Sequence, residues 1–152
     1  MNDLDCREAT LDDLPRIIVL LADDALGKGR EHMTSGIDDR YVSAFRAIEA
    51  SPDQMQTVAE LDGAVVGCMQ LSLLPGLSFH GGWRGQIESV RIASEQRGKG
   101  LGHQYLAWAI NRFRERGCGL VQLNTHKSRA NAIRFYKSLG FEASHEGFKL
   151  AL

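Results

Sequence analysis

ESVRIASEQRGKGLG, residues 88–102, decides how this chain is read. Its first part alternates as a strand does, which puts Glu88 on one face with Val90 and Ile92, and Ser89 on the other face with Ile87. Its second part sets Gly98, Gly100 and Gly102 beside Arg97 and Lys99. It then runs into an apolar helical stripe, Leu106, Ile110 and Phe113 beside Leu101, Tyr105 and Trp108, that ends at Gly117. A strand, a glycine loop and a helix start in succession aim backbone N–H groups at one point, and such a point favours an anion. Glycines remove the Cβ atoms that would hold a pyrophosphate off those amides, and the helix dipole adds about half a positive charge there.

Taken alone, RGKGLG is also an ordinary basic turn in a chain with 16 glycines. Spelling separates the alternatives. A nucleoside-triphosphate loop reads G-x-x-x-x-G-K followed by Ser or Thr, and a dinucleotide loop reads G-x-G-x-x-G; neither string occurs. The string present is R-x-x-G-x-G.

Upstream, Thr10 and Asp13 form a capping-box pair ahead of Leu11, Leu14, Ile18 and Leu21, which recur at helical spacing. A polar loop separates this helix from a second, carrying Tyr41, Phe45 and Ile48 and ending before Ser51-Pro52, because a residue preceding proline disfavours helix. QTVAELDGAVVGCMQLSLL reads as a hairpin turning at Asp62-Gly63. Downstream, GLVQLNTH is a buried-type strand, residues 130–139 a short helix stopped by Gly140, and Phe141 onward a further strand, with FKLAL a terminal one. Strands alternating with helices require crossover connections. The expected fold is therefore α/β: one mixed, mostly antiparallel sheet with helices on both faces and a splayed parallel strand pair, QIESVRIA and GLVQLNTH, all in a single domain over residues 1–152.

At this point the sequence resembles the GCN5-related N-acetyltransferase (GNAT) superfamily. ESVRIASEQRGKGLG is similar to that superfamily's strand and loop for the acyl-CoA pyrophosphate and pantetheine, and SRANAIRFYKSLGF to its following helix, in which an Asn and a Tyr face the cofactor. The resemblance implies that the amides of Arg97, Gly98, Lys99, Gly100, Leu101 and Gly102 hold the pyrophosphate. It also implies that the backbone of Val90, Arg91 and Ile92 pairs with pantetheine like an added strand, and that Asn131 bonds the pantetheine arm. The implied co-substrate is acetyl-CoA, with no metal. Pantetheine carries two amides that need partners once they leave water, and a strand edge supplies them.

Acyl transfer to an amine needs a neutral nucleophile, a donor at the developing oxyanion and a proton for the departing thiolate. Glu88 is the expected proton acceptor, directly or through water; its structural alternative is an ion pair with Arg84 or Arg91. Tyr136 is the expected general acid, because a phenol with a pKa of about 10 lies close to a thiol at about 8.5. The backbone N–H of Ile92 is the expected oxyanion donor. Cys68 and Cys118 read as core thiols, and His126 and Asn124 as strand-end polar residues.

The expected activity is transfer of an acetyl group to the primary amine of a small molecule, by direct transfer in a ternary complex. A protein lysine or N-terminal acetyltransferase and a non-catalytic acyl-CoA sensor stay open as alternatives. The acceptor walls are expected from the loop at residues 24–36, with Lys28, Arg30 and His32, and the loop at 76–85, with Phe79, His80, Trp83 and Arg84.

A formal net charge of -1 gives no field for nucleic acid or an anionic membrane. No run approaches the roughly 18 apolar residues of a membrane span. Three cysteines with no C-x-x-C spacing point to a reducing compartment, and a cytoplasmic location is expected. A homodimer is expected if FKLAL crosses to a second copy.

Overall fold

The computed structural model describes residues 3–24, 26–31 and 36–152. His32 lies outside them. The chain divides into two compact units, residues 1–122 and 123–152.

The first unit holds a five-stranded sheet in sequence order: β1 (Asp5–Glu8), β2 (Gln54–Leu61), β3 (Ala64–Leu74), β4 (Arg84–Ile92) and β5 (Leu120–Leu123). The first three pairings are antiparallel and the last is parallel. Before the hairpin come α1 (Leu14–Ala22) and α2 (Asp39–Glu49); after it come the four-residue turn α3 (Ser78–Gly81) and the long helix α4 (Leu101–Glu115).

Local chemistry explains the boundaries. The Asp13 carboxylate accepts the Thr10 N–H at 2.7 Å, closing the expected capping box, although the first turn is a tight 3-10 turn and α1 proper starts at Leu14. The Asp38 carboxylate accepts the Arg40 N–H at 2.8 Å and starts α2. Asp62 and Gly63 both have positive φ, 52° and 78°, as a two-residue hairpin turn requires.

The two sheet faces are told apart by what packs on them. Ile17 and Leu20 of α1 bury Val58, Cys68 and Ala93 on one face, and Leu14 and Ile18 meet Phe45 of α2 beside them. On the other face, the Tyr105 hydroxyl of α4 meets the Thr57 hydroxyl at 2.6 Å, while Thr57 donates to the Met69 carbonyl at 3.0 Å. Gly85 also belongs to this face: a Cβ there would stand 2.5 Å from the Phe113 ring, so only hydrogen lets α4 approach β4 so closely.

One strand is unforeseen and one expected strand is absent. β1 is a strand although its sequence, DCRE, carries no apolar alternation; its pairing with β2, Cys6 opposite Ala59, makes it one. Residues 141–152 form no strand, and Phe148, Leu150 and Leu152 stand 89%, 86% and 118% exposed. The alternation is there, but a strand exists only by pairing with a neighbour, and within the second unit none is formed.

Candidate active site

β4 does not alternate regularly. Gln70 pairs with Glu88 and Cys68 with Arg91, so Ser89 and Val90 together oppose Met69 alone. This is a β-bulge, with Ser89 in the left-handed region at φ 55°. A non-glycine residue held there costs about 1–3 kcal/mol, which the surrounding pairings must offset.

The bulge overturns one expectation. Glu88 lies opposite Gln70 and Ile92 opposite Gly67, positions three apart on β3, so Glu88 and Ile92 occupy opposite faces of the sheet. Glu88 is on the α1 face. Ile92 is on the α4 face, where a Cβ on Gly67 would meet Ile92 Cδ1 at 2.9 Å and Tyr105 Cε1 at 3.4 Å.

Glu88 is exposed and forms no ion pair among the described residues. The structural alternative to catalysis, pairing with Arg84 or Arg91, is therefore absent. Arg91 instead meets Asp24 at 3.0 Å, with side chains only 11% and 16% exposed, and its Nη1 donates to the Val90 carbonyl at 2.8 Å. Sequence reasoning misses Asp24, because nothing in its sequence neighbourhood marks it as a β4 partner.

The Ala93 N–H bonds the Val66 carbonyl at 2.8 Å. Antiparallel ladders alternate, so the N–H and C=O of Ile92 point away from β3. That leaves the Ile92 N–H aimed away from β3, at the far edge of β4.

Beyond β4 the chain makes a 3-10 turn (Ser94–Gln96) and enters the loop. Gly98 and Gly100 have φ of 77° and 80°, and Gly100 is the N-cap of α4, where it offers no side chain to the first amides; the first turn holds no acidic residue. The space where Cβ atoms would stand at Gly98 and Gly100 is open. An uncapped helix start with Cβ-free approach fits a pyrophosphate. Arg97 also braces the site: its Nε donates to the Ile92 carbonyl at 3.0 Å and its Nη2 to the Asp23 carbonyl at 3.0 Å, tying loop, strand and the end of α1 together. Lys99 Nζ donates to Gln96 Oε1 at 2.9 Å. Leu101 is buried as α4 begins, and Gly102 follows it in the first turn.

The second unit carries α5 (Ala130–Ser138), closed by Gly140 at φ 89°. Tyr136 packs edge-on against Phe135 and Phe141, with centroids 5.3 and 6.0 Å away. Asn131 is exposed on the first turn, and its Oδ1 accepts from Arg134. His126 Nδ1 accepts the Ser128 N–H at 3.2 Å, a local turn contact.

The acetyltransferase (GNAT) family model matches residues 22–141, which takes in β4, the glycine loop and α5. The chain belongs to this family. It is an acyl-CoA-dependent N-acetyltransferase, and its sheet with the parallel β4–β5 pair is the fold of that family's members. The aminoalkylphosphonate N-acetyltransferase of Salmonella typhimurium is 31% identical over 147 residues, covering 96% of this chain and 90% of that one. Among solved structures, a transcriptional regulator from Bacillus halodurans is 44% identical and superposes with a TM-score of 0.95 over 99% of this chain and 100% of that one. An acetyltransferase of Trypanosoma brucei is 26% identical with a TM-score of 0.77, over 99% of this chain and 100% of that one.

Proposed function

We propose that this chain moves an acetyl group from acetyl-CoA directly to the primary amine of a small molecule. The observation that carries the proposal is Glu88: an exposed carboxylate with no ion-pair partner among the described residues, one bulge away from an outward-pointing Ile92 N–H. The Salmonella relative, which acts on aminoalkylphosphonates by name, supports a small-molecule acceptor.

In this reading the amides of residues 97–102 hold the pyrophosphate, the backbone of Val90, Arg91 and Ile92 pairs with pantetheine, and Asn131 bonds its arm. Acetyl-CoA enters as co-substrate, and no step requires a metal. Glu88 removes a proton from the bound ammonium, and the freed lone pair attacks the thioester carbonyl carbon. The proton passes to Glu88 directly or through a bridging water. The Ile92 N–H bonds the oxygen as it gains charge, the carbon–sulfur bond breaks, and Tyr136 gives its proton to the thiolate; the nitrogen, which gains a positive charge on attack, sheds its second proton as the intermediate collapses and so restores the phenol.

Direct transfer is favoured over a cysteine-bound acyl group. Cys68 is 0% exposed, and burial pushes its thiol up to about 12, so it supplies no thiolate near neutrality. Cys6, Cys68 and Cys118 are all free, in keeping with a reducing, cytoplasmic setting.

Free-thiol release from acetyl-CoA in the presence of an amine panel tests this reading. Turnover with a small amine supports it; turnover only on a lysine-bearing peptide or a peptide N-terminus would overturn it.

A further inference from the structure

Gln70 of β3 stands directly opposite Glu88 of β4, next to the bulge. Directly opposed residues share a sheet face, with Cβ atoms about 5 Å apart. The two side chains are therefore neighbours, but their settings differ: Glu88 is exposed and Gln70 is half-buried. Two residues back from Gln70 on the same face, Cys68 lies in the core beneath α1. Gln70 marks the border between the packed part of this face and the part on which Glu88 is exposed.

The Gln70 amide is held from the side away from Glu88. Its Nε2 reaches Oε1 of Gln54, on β2, at 3.4 Å. The oxygen and nitrogen of an amide sit on opposite sides of one planar group, the oxygen accepting and the nitrogen donating. Holding Nε2 toward β2 turns Oε1 toward β4, the strand that carries Glu88. Gln56, opposite Gln70 on β2, turns its own Nε2 to the Met69 and Thr57 carbonyls at 3.1 and 3.4 Å, and so away from the Gln70 oxygen.

The consequence is two acceptors side by side, a carboxylate and an amide oxygen. What completes such a pair is a group that donates to both. A nitrogen bearing several N–H bonds does this from a single atom.

We infer that Gln70 holds the acceptor's nitrogen and makes the site specific for primary amines. The inference rests on Glu88 as the proton acceptor in the reading above and extends that reading to the protons it leaves on nitrogen. A primary ammonium carries three N–H bonds. One proton passes to Glu88 and frees the lone pair that forms the new bond to the thioester carbon. A second leaves the nitrogen as the carbon–sulfur bond breaks and restores the phenol. The third stays on nitrogen in the product amide, and Gln70 Oε1 accepts from it throughout. A secondary amine has no third proton, so its reaction leaves the Gln70 oxygen facing an N-alkyl group. A site built to bond an N–H discriminates strongly against an analogue that lacks it.

The test uses two matched pairs of acceptors with acetyl-CoA: propylamine with N-methylpropylamine, and aminomethylphosphonate with N-methylaminomethylphosphonate. In the parent, kcat/KM should favour the primary member of a pair by about tenfold or more. In Gln70→Leu that ratio should fall by about tenfold, the worth of one hydrogen bond to a polar group. In Gln70→Glu, which keeps an acceptor oxygen at the position, the preference should persist. An unchanged acetyl-CoA dissociation constant reports that each variant is folded. A merely structural role for Gln70 would lower kcat/KM for both members alike and leave their ratio intact; that result overturns the inference, as does a parent that does not distinguish the members. If no amine turns over, the Glu88 reading fails separately. The side-chain amide resonance of Gln70 in CoA-loaded protein, titrated with propylammonium, then decides the inference. A saturating shift that trimethylpropylammonium, a cation without N–H, does not produce supports it; no shift overturns it.

Discussion

Arg91 joins Asp24 and Val90 at once, its Nε 3.0 Å from the Asp24 carboxylate and its Nη1 2.8 Å from the Val90 carbonyl. The pair ties the segment after α1 to the bulged stretch of β4 that the proposal gives to pantetheine. Asp24→Ala would strand a mostly buried guanidinium, a loss of about 1–3 kcal/mol, or several degrees in the thermal midpoint. The acetyl-CoA KM should rise as well. Adding Arg91→Leu removes the stranded charge, so the double variant should regain part of the midpoint; a double variant as unstable as the sum of the singles would contradict the coupling.

Gly85 marks the closest approach of α4 to the sheet, with the Phe113 ring 2.5 Å from where its Cβ would stand. Phe113 is itself buried in the core, so its ring cannot simply swing out to solvent. Gly85→Ala should destabilise by about 1–3 kcal/mol through overpacking. The double change Gly85→Ala with Phe113→Leu should recover part of it in a denaturant melt.

What was legible in the sequence followed from local rules, and what was not depended on pairing. Asp62-Gly63, the Thr10–Asp13 box and the uncapped glycine start of α4 are short-range devices, and each is where its residues pointed. Ser89 is different: serine carries no signal for φ 55°, and the bulge exists because β4 has one residue more than β3 between two fixed pairings. That single residue moved Glu88 to the opposite face from Ile92. Asp24 and Asp23 reach β4 and Arg97 across about seventy residues, a distance over which periodicity says nothing.

Acid sensitivity should trace to Arg7. Its guanidinium bonds Asp13 at 2.8 Å and Glu60 at 3.0 Å, and holds the Asp13 carboxyl below its ordinary range. A depressed carboxylate pKa adds stability above the unfolded value and loses it as pH falls through the folded one. Arg7→Leu should therefore be less stable than the parent at pH 7, with the gap closing below about pH 4 as Asp13 protonates in both states. Thermal midpoints from pH 2 to 7 measure it, and a gap that stays constant would assign the loss to packing alone.

Phe148, Leu150 and Leu152 alternate on the exposed end of the chain, and we propose that they cross to a second copy as a strand, giving a homodimer. Sedimentation equilibrium at micromolar concentration should give a dimer. Replacing all three with Ser should give a monomer with an unchanged far-ultraviolet signature of its helices, whereas a parent that sediments as a monomer would remove the dimer from the proposal.

Tyr136 gives the sharpest separation of chemistry from donor binding. Its ring lies edge-on to Phe135 and Phe141, so Tyr136→Phe keeps the packing and deletes only the hydroxyl. If the phenol protonates the departing thiolate, kcat should fall about a hundredfold or more, the usual contribution of a positioned acid, with the acetyl-CoA dissociation constant nearly unchanged. Loss should be smaller with an acyl donor whose thiol is more acidic, because a better leaving group needs less help from the acid. Equal losses in turnover and in acetyl-CoA affinity would mean that the hydroxyl serves binding, and equal losses for both donors would remove Tyr136 from the proton path.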